Sequence, residues 1–167
     1  MGKNIMALVS AAIFLLLLSL AIRAWRSRIA NQQASFTAPL EALEYFGQVL
    51  VEAKAFYVAT TYAVNVLERI AAYGLGARGN AQVLVFSEGV LIVRVGERSL
   101  ALDKAQIVSV GYGQVAIDKA VESDGLIQIT WMQDGSSLTT HLRVKEPALR
   151  DQIVSAISGI ITKEESL

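Results

Sequence analysis

The hydrophobic positions of this chain follow three rhythms, and each predicts a different element. Between Asn4 and Ile22 no charged residue occurs, and the centre reads Ile13-Phe14-Leu15-Leu16-Leu17-Leu18. An apolar run without a polar stripe has no face to turn toward water, so it predicts a helix in lipid rather than a helix of a globular core. At ~1.5 Å rise per residue such a helix covers just under the ~30 Å hydrocarbon core of a bilayer. Residues 29–39 show no periodic apolar pattern and read as a tether, with Asn31-Gln32-Gln33 followed by Ser35, Thr37 and Pro39. Leu40, Leu43, Phe46 and Leu50 are spaced like one face of a helix that Pro39 would start at its first turn.

Beyond this point the period becomes two. Ala55-Phe56-Tyr57-Val58-Ala59-Thr60-Thr61 is rich in β-branched and aromatic residues and predicts a strand. Ala81-Gln82-Val83-Leu84-Val85-Phe86 and Val90-Leu91-Ile92-Val93-Arg94-Val95 predict two more, joined at Ser87-Glu88-Gly89. Ser99-Leu100-Ala101-Leu102 and Ile107-Val108-Ser109-Val110 follow. Leu126-Ile127-Gln128-Ile129-Thr130-Trp131 and Leu138-Thr139-Thr140-His141-Leu142-Arg143-Val144 form a hairpin around Asp134-Gly135, a strong turn dipeptide.

The third rhythm is helical: after Pro147, Leu149, Ile153, Ile157 and Ile160 recur on one face, weakened only slightly by Gly159. One amphipathic helix after six or seven antiparallel strands caps the mouth of a curled sheet, the arrangement of a pleckstrin-homology (PH)-like β-barrel or sandwich. The expected organisation is an anchor with juxtamembrane arginines (1–28), a tether that is part helical (29–50), a mainly β PH-like domain with its closing helix (51–162), and a tail (163–167).

Charge refines the reading of the anchor. Only Lys3 precedes the apolar run, whereas Arg23, Arg26 and Arg28 follow it with Trp25 between them. Arginines there resist translocation and Trp25 suits the membrane interface, so an uncleaved, single-pass anchor is expected in the plasma (inner) membrane. The same asymmetry places the N-terminus outside and the C-terminal domain in the cytoplasm. The lack of cysteine excludes disulfides, zinc–thiolate sites and cysteine nucleophiles. Beyond the anchor, 11 basic residues face 15 acidic ones, a balance of about −4 that argues against nucleic-acid binding.

The chain offers little for chemistry. Gly74-Leu75-Gly76-Ala77-Arg78-Gly79 matches G-x-G-x-x-G, but a strand follows where a dinucleotide loop needs a helix. The glycines Gly74, Gly76 and Gly79 are expected to serve positive φ or close backbone approach. Arg78, on that loop, is a candidate contact for an anion or a partner's carboxylate, alone or in a basic pocket with Arg69 and Arg94. His141 is the lone histidine and is expected to be a surface or hydrogen-bonded residue. Asp118, Glu122 and Asp124 are scattered around a turn without the clustering a metal needs. Trp131 and Tyr57 read as core or rim aromatics. No metal site, cofactor site or catalytic constellation is expected.

Tyr57-Val58-Ala59-Thr60-Thr61, the stretch Arg69-Ile70-Ala71-Ala72-Tyr73-Gly74-Leu75-Gly76-Ala77-Arg78-Gly79, then Glu88-Gly89-Val90 with Arg94, and Ile129-Thr130-Trp131 together resemble actinobacterial-type single-pass membrane proteins with a bacterial PH-like domain. The resemblance implies a PH-like fold without assigned chemistry, in a family sometimes labelled as transport- or export-related. The expected role is a non-enzymatic, membrane-tethered interaction or scaffold module. Its partners would be membrane lipid, through the anchor, and a protein or a second copy of itself, through strand edges and the Arg78 loop. The alternatives are a sensor of an anionic metabolite or lipid headgroup at Arg69, Arg78 and Arg94, or an accessory subunit of a transport or biosynthetic complex. A pyrimidine connection is implied by the resemblance alone.

Overall fold

In the computed structural model, which describes residues 2–113 and 125–162, the apolar run lies within one helix, α1 (Gly2–Ser35). Its side chains from Asn4 to Arg28 are all exposed, so no part of the domain covers the apolar surface. The helix does not stop at the arginines. Residues 29–35, read above as a tether, form its last turns because Ala30, Gln32, Gln33 and Ala34 are good helix formers and no glycine or proline interrupts them. Residues 36–48 then run without a helix, which corrects the expectation for Leu40 to Leu50. Their backbone bonds go to the sheet instead: Leu40 O accepts from Ala101 N–H (2.8 Å), Phe46 O from Glu88 N–H (3.2 Å) and Gln48 O from Ser87 N–H (2.9 Å).

Eight strands follow: β1 (Val49–Tyr62), β2 (Asn65–Arg69), β3 (Gly79–Phe86), β4 (Gly89–Arg94), β5 (Leu100–Asp103), β6 (Ile107–Gly113), β7 (Leu126–Gln133) and β8 (Ser136–Arg143). All pairs are antiparallel, in the order β5-β4-β3-β1-β8-β7-β6, and β2 pairs only with β1. The long β1 joins the two halves: residues 49–57 pair with β3, and Phe56 to Tyr62 pair with β8. A register shift between Tyr57 and Ala59 bends the strand where it passes from one partner to the other.

The sheet is open, not the closed barrel that the curled pattern suggested. β5 and β6 are the two ends of the strand order. They are joined by a 3-10 turn at Lys104–Gln106, held by a capping box in which Asp103 accepts from Ala105 N–H and Gln106 accepts from Asp103 N–H. Part of the edge of β5 is already bonded to Leu40, so it is not free to pair with β6.

Alternation along the strands sends Val83, Val85, Ile92, Leu102, Ile129 and Trp131 into the core, each fully buried. Helix α2 (Pro147–Thr162) lies over this core and buries Ile153, Ile157 and Ile160, while Leu149, the first residue of the same spacing, is half-buried at its edge. Each such side chain contributes roughly 1.5–3 kcal/mol of transfer free energy. Asp134 and Gly135 both have positive φ (48° and 80°), the geometry of a type I′ turn between β7 and β8. Asp118, Glu122, Asp124 and the tail 163–167 lie outside the described residues.

Candidate functional site

The end of the sheet that carries the β1–β2 and β7–β8 turns is where α1 meets the domain, and polar side chains make the joint. Gln32, on the last turns of α1, is buried. Its Oε1 accepts from the backbone N–H groups of Ala71 (2.7 Å) and Ala72 (3.0 Å), and its Nε2 donates to Arg69 O (3.4 Å). One turn earlier, Arg28 Nη2 donates to the same Arg69 carbonyl at 3.1 Å.

Just beyond the helix, Phe36 is buried against the ring of Tyr73 (centroids 5.8 Å apart), and Tyr73 Oη donates to Phe36 O at 3.0 Å. Tyr73 has φ 56°, a left-handed conformation uncommon for a bulky residue. Strain of about 1–3 kcal/mol persists only where surrounding contacts over-determine it, as the bonds to Phe36 do here.

A third contact closes the joint. Thr37 N–H and Oγ1–H both donate to Asp134 Oδ2 (2.6 and 2.7 Å), and Gln133 Nε2 donates to Thr37 Oγ1 (3.0 Å). These two donors hold the Asp134 carboxyl below its usual pKa. In Thr37→Val, which keeps the N–H but removes the hydroxyl, the Asp134 carboxyl should titrate at higher pH, read by carbon-detected NMR.

The three candidate arginines are placed differently. Arg94 is buried; Nε donates to Arg98 O and Nη1 to Gly74 O, both at 2.8 Å, and the guanidinium lies 4.8 Å from the Tyr57 ring centroid. Arg69 is half-buried, and its charge acts on His141. Arg78 is exposed. A groove of about 450 Å³ between α1 and the β1–β2 hairpin is lined by residues of α1 from Ala24 to Ser35 together with Tyr62 and Glu68. Arg94 lines a separate, much smaller cavity beside Tyr73, and Arg69 and Arg78 line neither.

The glycine-rich loop serves the backbone. Gly74 has φ 69°, and a Cβ on Gly76 would stand 2.7 Å from Ile70 O. Gly79 meets neither expectation, since its φ is not positive and a Cβ there would stand 3.9 Å from Val95 O; it opens β3 instead of a helix, so no phosphate-binding helix terminus follows. Among the described residues, no three His, Asp or Glu side chains cluster to hold a metal.

Behind the loop runs a buried chain of hydroxyls. Tyr57 Oη donates to Leu75 O (2.9 Å) and bonds Thr60 Oγ1 (2.6 Å), which bonds Thr140 Oγ1 (2.8 Å), itself an acceptor from Trp131 Nε1 (3.0 Å). Burial pushes the Tyr57 hydroxyl up to about 12. His141, fully buried, bonds Thr61 Oγ1 through Nε2 at 3.0 Å.

Gln32, Phe36, Thr37 and Asp134 carry the joint, and none was singled out for it by the sequence pattern. The available signal was the unbroken helix-forming composition of residues 29–35, which is hard to read when no apolar stripe accompanies it.

A family model described as bacterial PH domain-like matches residues 36–158. No curated protein matches the chain. Among solved structures the chain is similar to one in the 8S snRNP assembly intermediate, at 10% identity over 75% of this chain and 89% of that one, with a TM-score of 0.49. It is also similar to the apo structure of the activated truncation of Vav1 (12% identity, TM-score 0.46), covering 85% of this chain but only 33% of that one. A third likeness is to the Ran-binding domain of the nuclear complex component Nup2 from Ashbya gossypii (18% identity, 71% and 97% coverage, TM-score 0.42).

Proposed function

The chain belongs to the bacterial PH domain-like family, and from that premise we propose that it is a non-enzymatic interaction module held in a fixed pose at the cytoplasmic face of the membrane. The observation that carries this reading is the joint itself. A flexible tether would let the domain sample all orientations, whereas Gln32, Phe36 and Thr37 tie the end of α1 to the sheet at three points. A domain so held presents one surface to the cytoplasm and concentrates its partner beside the bilayer.

Two features support a protein partner or a second copy. Among the described residues the strand order ends at β6, where Val108 is exposed and Tyr112 bonds Asp151 of α2, and a strand edge unpaired there offers backbone groups for strand addition. Arg78 stands exposed on the glycine-rich loop as a contact for a carboxylate. Arg94 donates to two backbone carbonyls, so an anion-sensing reading rests on Arg69 and Arg78 alone.

Because the chain has no cysteine, single introduced cysteines report orientation cleanly. An impermeant maleimide applied to intact cells should label Asn4→Cys and leave Ser155→Cys unlabelled until the cells are lysed; the reverse pattern overturns the cytoplasmic assignment. A photo-crosslinking residue at Val108 or Arg78 in native membranes should give a discrete adduct. No adduct at either position, with a strictly monomeric protein in mild detergent, sinks the interaction reading.

A further inference from the structure

The β1–β2 hairpin has a composition at odds with an aqueous turn. Val64 is 94% exposed, Leu67 64% and Val66 38%, three apolar side chains within four residues. Scattered exposed apolar residues are ordinary; a contiguous set on a projecting turn requires a reason. The hairpin pairs with β1 at only two positions, Tyr62 with Asn65 and Thr61 with Arg69, so residues 66–68 bulge outward. The one polar side chain among residues 63–67, Asn65, is exposed but folds onto its own turn, its Oδ1 accepting from Leu67 N–H at 3.2 Å. Its three larger apolar neighbours are left facing outward.

Its position along α1 supplies the reason. Moving up the helix toward the apolar run, Gln32 contacts Ala71 and Ala72, Gln32 and Arg28 share Arg69 O, and Tyr62 and Glu68 face the groove that reaches Ala24. The base of the hairpin therefore stands level with Arg28 and Gln32, and Tyr62 and Glu68 face α1 across a groove that extends up to Ala24. Ala24 to Arg28 is the stretch where arginines and Trp25 mark the end of the apolar segment. We propose that residues 63–67 are a second membrane contact, with Val64, Val66 and Leu67 seated at the headgroup–acyl boundary of the same bilayer that α1 spans. The proposal rests on the reading of α1 as a membrane span, and its occupant is the lipid interface.

The contact has a mechanical use. A single helix leaves a domain free to tilt relative to the bilayer. A second apolar contact several ångströms to one side removes that freedom, and with Arg28 and Gln32 bonded to the base of the hairpin, the orientation of the whole sheet follows.

The test uses the full chain in liposomes of mixed zwitterionic and anionic phospholipid, with single nitroxide labels on cysteines introduced at exposed sites. The depth probes are Val64→Cys and Leu67→Cys; Leu15→Cys reports the span. Tyr45→Cys, 74% exposed and next to Phe46, whose ring packs on Phe86 at the opposite end of β1, reports water. Relaxation by dissolved oxygen relative to a water-soluble nickel chelate measures depth. Labels at positions 64 and 67 should show a ratio several-fold above that at 45 and below that at 15. If they match position 45 while position 15 stays protected, the hairpin contact is wrong and the span stands. If position 15 also matches position 45, the span reading fails and takes the proposal with it. Shielding of position 67 from both reagents means that protein covers the hairpin, which overturns the lipid assignment in favour of a second copy or a partner.

Discussion

Gln32→Leu should lower the unfolding free energy of the full chain in detergent micelles by about 2–4 kcal/mol, because it leaves two backbone donors without an acceptor at roughly 1–3 kcal/mol each. Those donors are the N–H groups of Ala71 and Ala72, of which Ala72 is fully buried. Leucine has nearly the volume of glutamine, so the loss reports hydrogen bonding more than packing. Gln32→Glu keeps the acceptor but sets a buried carboxylate oxygen against Arg69 O, so it should recover part of the loss, and more of it as falling pH protonates the side chain. A chemical-denaturant titration of the three proteins separates these cases. Equal losses in both variants would mean that side-chain shape, not acceptance from the backbone, holds α1 to the sheet. A loss near zero in Gln32→Leu would return the joint to the flexible tether that residues 29–39 suggest on paper.

The second large effect is a pH dependence set by His141. Burial, with the nearby positive charge of Arg69, pushes its imidazole down from 6.5 to about 4. The unfolded chain therefore binds a proton near pH 6.5 while the folded chain refuses one until about pH 4. Stability is unaffected by this group above pH 6.5, declines as pH falls through the window from 6.5 to about 4, and levels below it. The full decline is about 3 kcal/mol. Nδ1 has no hydrogen-bond partner among the described residues, which favours the tautomer with the proton on Nε2, donated to Thr61 Oγ1. His141→Gln should flatten this part of the profile, and the difference between the two denaturation curves isolates it from the carboxylates titrating alongside. Parallel curves for the two proteins between pH 7 and 4 would show that water reaches the imidazole in the folded state.

Much of the architecture is legible along the chain because its signals are local. The long apolar helix shows in a run of uncharged residues, β3, β4, β7 and β8 show in alternation, and α2 shows in the helical spacing of Leu149, Ile153, Ile157 and Ile160. The Asp134-Gly135 turn is equally plain, since a type I′ turn requires two positive φ values that few dipeptides supply. β2 is not legible: it holds to β1 through two residue pairs around a bulge, too little to impose alternation. Nor is the ending of α1, whose final turns are anchored by the Gln32 side-chain amide accepting from the turn after β2 and not by an apolar stripe.

The candidate site divides along the same line. Reading residue types, Arg69, Arg78 and Arg94 look equivalent; in space one is buried under two carbonyl bonds, one is half-buried near His141, and one is exposed. Thr37 and Asp134 are 97 positions apart and meet only because the last turns of α1 and the β7–β8 turn come together at the same end of the sheet.

The sequence by itself determined the kinds of element and their order: an apolar helix bounded by arginines, a run of short antiparallel strands, and a closing amphipathic helix. Those follow from periodicity and charge, which act over a few residues at a time. The tertiary structure decided what the strands enclose, that the sheet stays open between β5 and β6, and that α1 is latched to the domain rather than trailing from it. These depend on contacts between residues far apart in the chain, formed where β1 is shared between β3 and β8, and no local pattern encodes which distant donor will find which acceptor.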